Sequence, residues 1–124
     1  MLVNVSNPLT PTFDDLSIPG GTSAAEEISK VAPKSTRVVK AFNTAFAAVI
    51  SQGQVGGQPV DVLIAGDDAN AKATLSQLIQ DGGLHPVDAG LLRRARQLEH
   101  MALLIISMQS KQPKPWMNAF KLVD

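Results

Sequence analysis

The sequence predicts an α/β fold in which about four strands form a mainly parallel sheet that helices flank. Three observations carry this prediction. Strand-like and helix-like stretches alternate along the chain, the strand-like stretches are too apolar to be half exposed, and the first two of them end abruptly in polar side chains. Such strands are typical of parallel sheets covered on both faces.

The first half of the chain supplies two strands and two helices. Residues 2–5 predict a short strand, and the loop that follows contains too many glycines and prolines for regular structure. Ser23-Ala24-Ala25-Glu26 has the form of a capping box, whose hydroxyl and carboxylate satisfy free amides at the start of a helix that ends before Pro33. Residues 37–42 predict the second strand, and residues 44–50 predict a short helix.

The second half repeats the alternation with longer elements. Residues 52–59 contain three glycines and predict a flexible loop, which leads into the most apolar strand at 60–65. A helix follows through Asp81, and residues 85–88 predict a fourth short strand. Residues 91–110 predict a last helix whose second half is apolar all round and therefore deeply covered, before an irregular tail.

Length and charge exclude several classes of protein. The 124 residues fit one domain, 1–124, and the formal net charge of zero gives no general attraction to nucleic acid or to acidic membranes. No apolar run approaches the roughly 20 residues that span a bilayer, and the amino terminus lacks the pattern of a signal peptide. We therefore expect a cytoplasmic protein without nucleic-acid or membrane partners.

The residue types also limit the chemistry. The chain has no cysteine, which excludes disulfides, thiolate metal ligands and cysteine nucleophiles, and leaves His85 and His100 as the imidazole ligands. Asp67 and Asp68 are interpreted as caps of the helix that follows them, in preference to metal ligands. No serine, histidine and aspartate have the spacing of a hydrolytic site. We expect no metal site and assign no catalytic side chain.

Polar side chains follow the first two predicted strands at the point where each ends. Because ligands collect beyond the carboxyl ends of parallel strands, these two endings predict one shared binding site. Each ending also has an ordinary structural interpretation, since Asn-Pro is common in turns, and Asn and Thr cap helices. The candidate ligand-binding residues are Ser6, Asn7, Pro8, Phe42, Asn43 and Thr44.

The last helix carries further charged residues for which two interpretations stay open. The cluster Arg93-Arg94-Arg96 is able to bind phosphate, but on an amphipathic helix it is more typical of a solvated face, with Glu99 as the nearby acidic partner. His100 lies beside an apolar run, where it either faces a ligand or satisfies a polar position in the core. His85 is expected to be exposed.

Five stretches of the chain resemble the carboxyl-terminal part of the NADP oxidoreductases that use coenzyme F-420, a deazaflavin. The ferrireductase domain of the STEAP metalloreductases belongs to the same group. The match covers nearly the whole chain in order and spacing, and the Lys-Ala-Phe-Asn-Thr string is its most specific part. The resembling stretches are residues 3–9, 22–26, 38–44, 62–68 and 84–91.

The resemblance implies a partial Rossmann-like fold, half of a doubly wound sheet, and a role in binding NADP. In that family these loops border the nicotinamide and a flavin-like partner, and hydride passes between two stacked rings. Such a transfer requires positioning more than acid-base side chains, because the cofactors carry the reactive atoms. A deazaflavin, a flavin, ferric ion and a quinone all remain open as the electron acceptor.

The chain departs from this family at its amino-terminal side. Family members open with a strand, a Gly-x-Gly-x-x-Gly turn and a helix that receive the pyrophosphate, and none of these occurs here. We therefore expect the monomer to bind NADP poorly. The bare edge of strand 2–5 predicts a homo-oligomer, a domain-swapped dimer or a separate polypeptide that supplies the N-terminal lobe. The alternative is a non-catalytic, truncated remnant that acts as an oligomeric binding or structural module.

Overall fold

The computed structural model describes all residues from Met1 to Asp124 and contains a four-stranded sheet, a two-stranded hairpin and four α-helices. Two short 3-10 turns, Leu92–Arg94 and Gln109–Lys111, flank the last helix. The elements in chain order are β1 Leu2–Asn4, α1 Ala24–Val31, β2 Val38–Lys40, α2 Ala47–Gln52, β3 Gln54–Val55, β4 Gln58–Pro59, β5 Asp61–Gly66, α3 Ala69–Asp81, β6 His85–Gly90 and α4 Ala95–Ser107.

The main sheet has the order β1-β2-β5-β6 and is mixed. The β1–β2 and β5–β6 pairs are parallel, as predicted, whereas β2 and β5 are antiparallel, with Lys40 opposite Ala65. The chain between β2 and β5 forms α2 and the hairpin without returning to the start of β2. The carboxyl ends of β1 and β2 therefore lie at the opposite end of the sheet from the carboxyl ends of β5 and β6.

The sheet separates two layers of side chains. Side chains of consecutive strand residues point to opposite faces, so β2 contributes Val39 to one face and Val38 and Lys40 to the other. The first face packs on α3, where Val39, Val62, Ile64, Leu75 and Ile79 are nearly or fully buried in one cluster. The second face lies under α1 and α4 and holds a smaller apolar cluster, Ala25, Val38, Leu92 and Ala95.

The observed bounds differ from the predicted ones for local reasons. Strand β2 is shorter than predicted because Phe42 takes a left-handed backbone conformation, with φ 66°, and ends the strand. The turn occupies the next residues, so α2 begins after Phe46 and not at Thr44. The predicted loop 52–59 contains the β3–β4 hairpin, whose turn residues Gly56 and Gly57 both have positive φ. Two glycines at this position are typical of a type I′ turn.

The predicted burial of the last helix is wrong in part. Leu104 and Met108 are 54% and 39% exposed, because the irregular tail packs at Gln109 and does not cover them. The Gln109 amide donates to the Asn118 side chain and accepts from the backbone N–H of Trp116. None of the helices has the length and apolarity that crossing a membrane requires.

Candidate functional site

The turns that follow β1 and β2 meet at one end of the sheet. The Asn7 side chain donates to the backbone carbonyl of Asn43 at 3.0 Å, and the Asn43 side chain donates to Asn7 Oδ1 at 3.0 Å. The parallel β1–β2 pairing explains this contact, since it places the carboxyl ends of both strands at the same end of the sheet. The two asparagines predicted to share a site are therefore in direct contact.

Asn43 is fixed further by the last helix. Its Nδ2 also donates to the backbone carbonyl of Leu98 at 3.0 Å, while only 7% of the residue is exposed. Its side-chain oxygen is buried and has no hydrogen-bond partner within the chain. A buried acceptor without a partner costs roughly 1–3 kcal/mol, so such a group calls for an explanation. An incoming N–H donor that reaches Asn43 Oδ1 would recover that energy.

Phe42 and Thr44 flank this asparagine. A left-handed backbone costs a residue with a side chain roughly 1–2 kcal/mol, and Phe42 retains it because its ring packs against the α3 cluster. Phe13 and Trp116 also have positive φ, so backbone strain alone does not single out this turn. Thr44 is 5% exposed, and its hydroxyl takes part in none of the hydrogen bonds that join Asn7, Asn43 and Leu98.

A buried lysine holds the turn after β1 in place. The Lys40 side chain is fully buried, and its ammonium group donates to Asn4 Oδ1 at 2.7 Å and to the backbone carbonyl of Ser6. It also lies 3.0 Å from Glu99 Oε2. An ammonium group has three donors, and each of them finds a partner here. Burial lowers the pKa of Lys40, and the nearby Glu99 carboxylate opposes that shift.

Glu99 connects this lysine to the start of α1. Its two carboxylate oxygens accept from the backbone N–H groups of Ala24 and Ala25, at 2.8 and 3.4 Å. The first amides of a helix lack partners within the helix and carry partial positive charge, so a carboxylate is favourable there. Glu99 therefore joins α1, α4 and β2 through one fully buried side chain.

The capping box at α1 is confirmed in part. The Ser23 hydroxyl accepts from the Glu26 backbone N–H at 3.1 Å, as predicted. The Glu26 carboxylate does not satisfy a helix amide; it accepts from the Ser23 hydroxyl and from two nitrogens of Arg96. Glu99, and not Glu26, accepts from the backbone N–H of Ala24 at the start of α1. Hydrogen bonds from Arg96 lower the pKa of Glu26.

The remaining predicted site residues lie in the same neighbourhood but differ in setting. Ser6 is exposed, and its hydroxyl pairs with the Asn4 side chain. Pro8 is half-buried, and its carbonyl accepts from the backbone and side chain of Ser17, which closes the loop after β1. We call the group formed by Asn4, Ser6, Asn7, Lys40 and Asn43 the polar end of the sheet.

The alternatives left open on the last helix are resolved in several places. Glu99 does not pair with the arginines, because it is buried against Lys40, whereas Arg93 and Arg94 are exposed. His100 is exposed and therefore does not satisfy a polar position in the core; its Nδ1 lies 2.9 Å from the Arg96 carbonyl.

The residues after β5 and at the start of β6 are structural. Asp68 caps α3 by accepting from Ala71 N–H at 2.8 Å, and Asp67 accepts from Leu92 N–H at 3.0 Å. The interpretation as a cap of α3 is confirmed for Asp68 and wrong for Asp67, which accepts instead from the 3-10 turn that follows β6. The His85 side chain is 55% exposed, as predicted, although its Nδ1 contacts Asp61 Oδ1 at 2.8 Å.

Two residues of this network, Lys40 and Glu99, are absent from the predicted site. A signal for Lys40 was available, because a lysine inside the apolar run Val38–Phe42 requires an acidic partner if the strand is buried. Glu99 occupies a position between Leu98 and Ala102 that also invites a buried interpretation. Sequence spacing gives no means of pairing residues so far apart along the chain.

The comparisons with known proteins bear on this arrangement. No family model matches the chain. It is 30% identical over 118 residues to the F420-dependent NADP reductase of Methanocaldococcus jannaschii. This alignment covers 90% of the chain and 51% of that protein. It is 36% identical over 106 residues to the metalloreductase STEAP3 of Rattus norvegicus. This alignment covers 86% of the chain and 20% of that protein.

Solved structures give the same result. The chain aligns with a TM-score of 0.78 and 29% identity to a protein described as an F420-dependent NADP reductase from Arthrobacter, over 89% of this chain and 51% of that one. A protein of undescribed function from Sinorhizobium meliloti aligns with a TM-score of 0.66 and 32% identity, over 73% of this chain and 44% of that one. The chain is homologous to part of the F420-dependent NADP reductases.

This homology confirms the predicted resemblance and the partial Rossmann-like fold. The chain spans about half the length of the F420-dependent reductases it matches and a fifth of the metalloreductase. Its mixed sheet corresponds to a fragment of the larger fold of the Arthrobacter protein.

Proposed function

We propose that this chain is the nicotinamide-facing part of an NADP-dependent oxidoreductase, which passes hydride between NADPH and an acceptor such as a flavin or deazaflavin. The observation that carries the proposal is the contact between Asn7 and Asn43 beyond the carboxyl ends of two parallel strands. Ligands of open α/β sheets bind in that position. The likeness to F420-dependent NADP reductases supports the choice of ligand.

The chemistry of the polar end suits a carboxamide. The unpartnered Asn43 Oδ1 is an acceptor that an amide N–H of nicotinamide would satisfy, and the hydroxyl of the next residue, the buried Thr44, is a second polar group for the ligand. Hydrogen bonds to Asn7 and Leu98 hold the Asn43 side chain in one orientation. When bound, NADPH supplies the hydride, and the side chains of this chain hold the ring in position.

The phosphates of the dinucleotide require a second element. In dinucleotide-binding folds a Gly-x-Gly-x-x-Gly turn receives the pyrophosphate, and this chain does not contain that pattern. We propose that a second copy of the chain or a complementary amino-terminal lobe completes the site. Strand β1 supports this idea, because it lies at the edge of the sheet and the neighbouring Val5 is 55% exposed.

The test is a calorimetric titration with NADPH and, separately, NADH, at a protein concentration where light scattering has established the oligomeric state. We expect NADPH to bind poorly to the monomer, and to bind more tightly and in preference to NADH where a second copy completes the phosphate site. Thr44→Val keeps the shape of the buried side chain and removes the hydroxyl, and it should weaken NADPH binding about tenfold or less, as one lost hydrogen bond predicts. Asn43→Ala should weaken it more.

The matched control is Asn70→Ala, which changes an exposed asparagine at the start of α3 and should leave binding unaltered. Thermal unfolding of each variant separates lost binding from lost fold. Equal effects of Asn43→Ala and Asn70→Ala on NADPH affinity would contradict a nicotinamide site at the polar end.

A second candidate function is a non-catalytic oligomeric module. The open edge of β1 favours it, since an edge strand pairs readily with a strand of another copy. This candidate predicts an oligomer by light scattering without NADPH binding up to the millimolar range. A monomer at micromolar concentration would contradict self-assembly through β1 in both proposals.

A further inference from the structure

A cavity of about 350 Å³ lies on the sheet face that looks toward α4 and adjoins the polar end at Leu98, whose carbonyl accepts from Asn43. Asp61 and Leu63 of β5 and Ala89 of β6 form one wall. Leu98 and Met101 of α4 form the second wall, and the tail residues Phe120 to Leu122 form the third. The proposed NADP function assigns no role to this cavity.

The cavity is mostly apolar and is built by the chain's own tail. Its apolar lining comes from the side chains of Leu63, Ala89, Leu98, Met101, Phe120 and Leu122. At ~30 Å³ for each heavy atom, the volume a water molecule takes in the liquid, the space holds a ligand of roughly a dozen heavy atoms. It is within the size range of small-molecule sites in proteins.

The third wall is fixed to the sheet by a buried carboxylate. The Asp61 side chain is 2% exposed and accepts from Lys121 Nζ and from the Leu122 backbone N–H, the second bond at 2.8 Å. His85 Nδ1 also lies 2.8 Å from it. Asp61 therefore neutralises Lys121 and holds Phe120 and Leu122 against the cavity.

The charge at the cavity comes from Arg94. This residue lines the cavity, is exposed toward solvent, and takes part in none of the ion pairs of the chain. Since Lys121 is paired with Asp61, the Arg94 guanidinium is the free charge beside the apolar walls. Guanidinium binds carboxylate through two parallel hydrogen bonds.

We propose that this cavity is a binding site for a small apolar acid, a molecule with an aliphatic or aromatic body and one carboxylate. The body fills the space between β5, β6, α4 and the tail, and the carboxylate pairs with Arg94. Charge complementarity with one free guanidinium selects an acid over a neutral molecule of the same shape. The cavity shares only Leu98 with the surroundings of the proposed nicotinamide site, and its occupancy needs no second lobe.

The experiment is a titration of the full chain with octanoate and with octanamide, a neutral molecule of the same size, followed by calorimetry or by ligand-observed NMR. We expect octanoate to bind with a Kd of roughly 0.1–1 mM and octanamide about tenfold more weakly. Arg94→Gln should remove this difference by weakening octanoate about tenfold. The matched control Arg93→Gln changes an exposed neighbour that does not line the cavity and should alter neither affinity.

A second variant keeps the test decisive. Ala89→Leu places a larger apolar side chain in the cavity and should abolish octanoate binding while the thermal unfolding temperature stays the same or rises. Three results would overturn the proposal: no octanoate binding at about 10 mM, equal binding of octanoate and octanamide, or octanoate binding that Ala89→Leu leaves unchanged. A second copy that fills the cavity with its own apolar side chains would appear as the first of these results, together with a mass that rises with protein concentration.

Discussion

The two faces of the sheet bury different kinds of side chain. The face against α3 is apolar, with Ile64, Leu75 and Ile79 at most 2% exposed. The face under α1 and α4 buries Lys40 and Glu99 completely, close to the asparagines of the polar end. Burial of a charged pair contributes little net stability compared with apolar residues of the same size. The comparison indicates that the α3 face supplies stability, whereas the second face fixes the position of the turns after β1 and β2.

The largest effect on the free energy of unfolding is expected from a substitution of Glu99 on the second face. Glu99→Ala leaves Lys40 buried without its acidic partner and the first amides of α1 without an acceptor. The free energy of unfolding should fall by about 3–5 kcal/mol in urea denaturation.

Two further variants separate the causes. Glu27→Ala removes a half-exposed acid that pairs with Lys30 and the Thr22 hydroxyl, and it should change the free energy of unfolding by less than about 1 kcal/mol. The double variant Lys40→Met, Glu99→Met removes both charges and should regain most of the lost stability. If it is as unstable as Glu99→Ala, the unpaired charge is not the cause.

The α3 face is tested by truncation of its core. Leu75→Ala removes a side chain that is 1% exposed and should lower the free energy of unfolding by about 3 kcal/mol. Leu78→Ala, on the same helix and 63% exposed, is the control and should change it by less than about 0.5 kcal/mol. The α3 face should supply stability without positioning the ligand. We therefore expect Leu75→Ala to leave the affinity for NADPH unaltered in conditions where the variant is folded.

A pH-dependent effect is expected at the tail. Burial tends to raise the pKa of Asp61, but hydrogen bonds from Lys121, the Leu122 N–H and His85 outweigh it and hold the pKa below its ordinary value. The folded state therefore gains stability from ionised Asp61 above the ordinary carboxyl pKa of about 3.9, and it loses that gain as the pH falls through the lowered pKa.

The fluorescence of Trp116 measures this effect, because its ring packs against Phe46 with centroids 5.0 Å apart. We expect the signal to change only below about pH 4 in the unaltered chain. Asp61→Asn should change it at neutral pH and remove the acid transition. The exposed Asp81→Asn is the control. A tail signal that is insensitive to Asp61→Asn would show that the carboxylate does not anchor the tail.

The smallest effect is expected at the surface of the second face. Arg96→Gln removes two nitrogen contacts to the Glu26 carboxylate, at 3.0 and 2.8 Å, and should lower the free energy of unfolding by about 0.5–1 kcal/mol. High salt should reduce the difference, because salt screens partly exposed pairs. Arg93→Gln should remain within about 0.5 kcal/mol of the unaltered chain. Equal losses in the two variants would mean that the Arg96–Glu26 pair contributes nothing specific.

Much of the fold could be predicted from local pattern. The alternation of elements, the cap at Ser23, and the strand endings at Asn7 and Asn43 depend on neighbouring residues, and all of them are observed. The β3–β4 hairpin was missed although Gly56-Gly57 is a recognisable turn signal. The antiparallel pairing of β2 with β5 depends on the path of the whole connection, which no local pattern reveals.

The sequence predicts the two asparagines of the site but not the residues from other elements that hold them in place. Two polar turns after adjacent parallel strands identify Asn7 and Asn43, because strand order alone brings them together. Lys40 and Glu99 contact each other across the sheet and α4, and Asn43 contacts Leu98 in the same way. These contacts join residues more than fifty positions apart and require the three-dimensional structure.

The most direct test of the central claim is a two-dimensional ¹⁵N NMR titration of this 13.1 kDa chain with reduced nicotinamide mononucleotide. This probe carries the nicotinamide ring without the second nucleotide and so does not depend on a complementary lobe. We predict that the amide signals of Ser6, Asn7 and 42–44 shift together, while those of 66–68 at the opposite end of the sheet stay unchanged. Shifts confined to 66–68, or none at saturating probe, would contradict a nicotinamide site at the polar end.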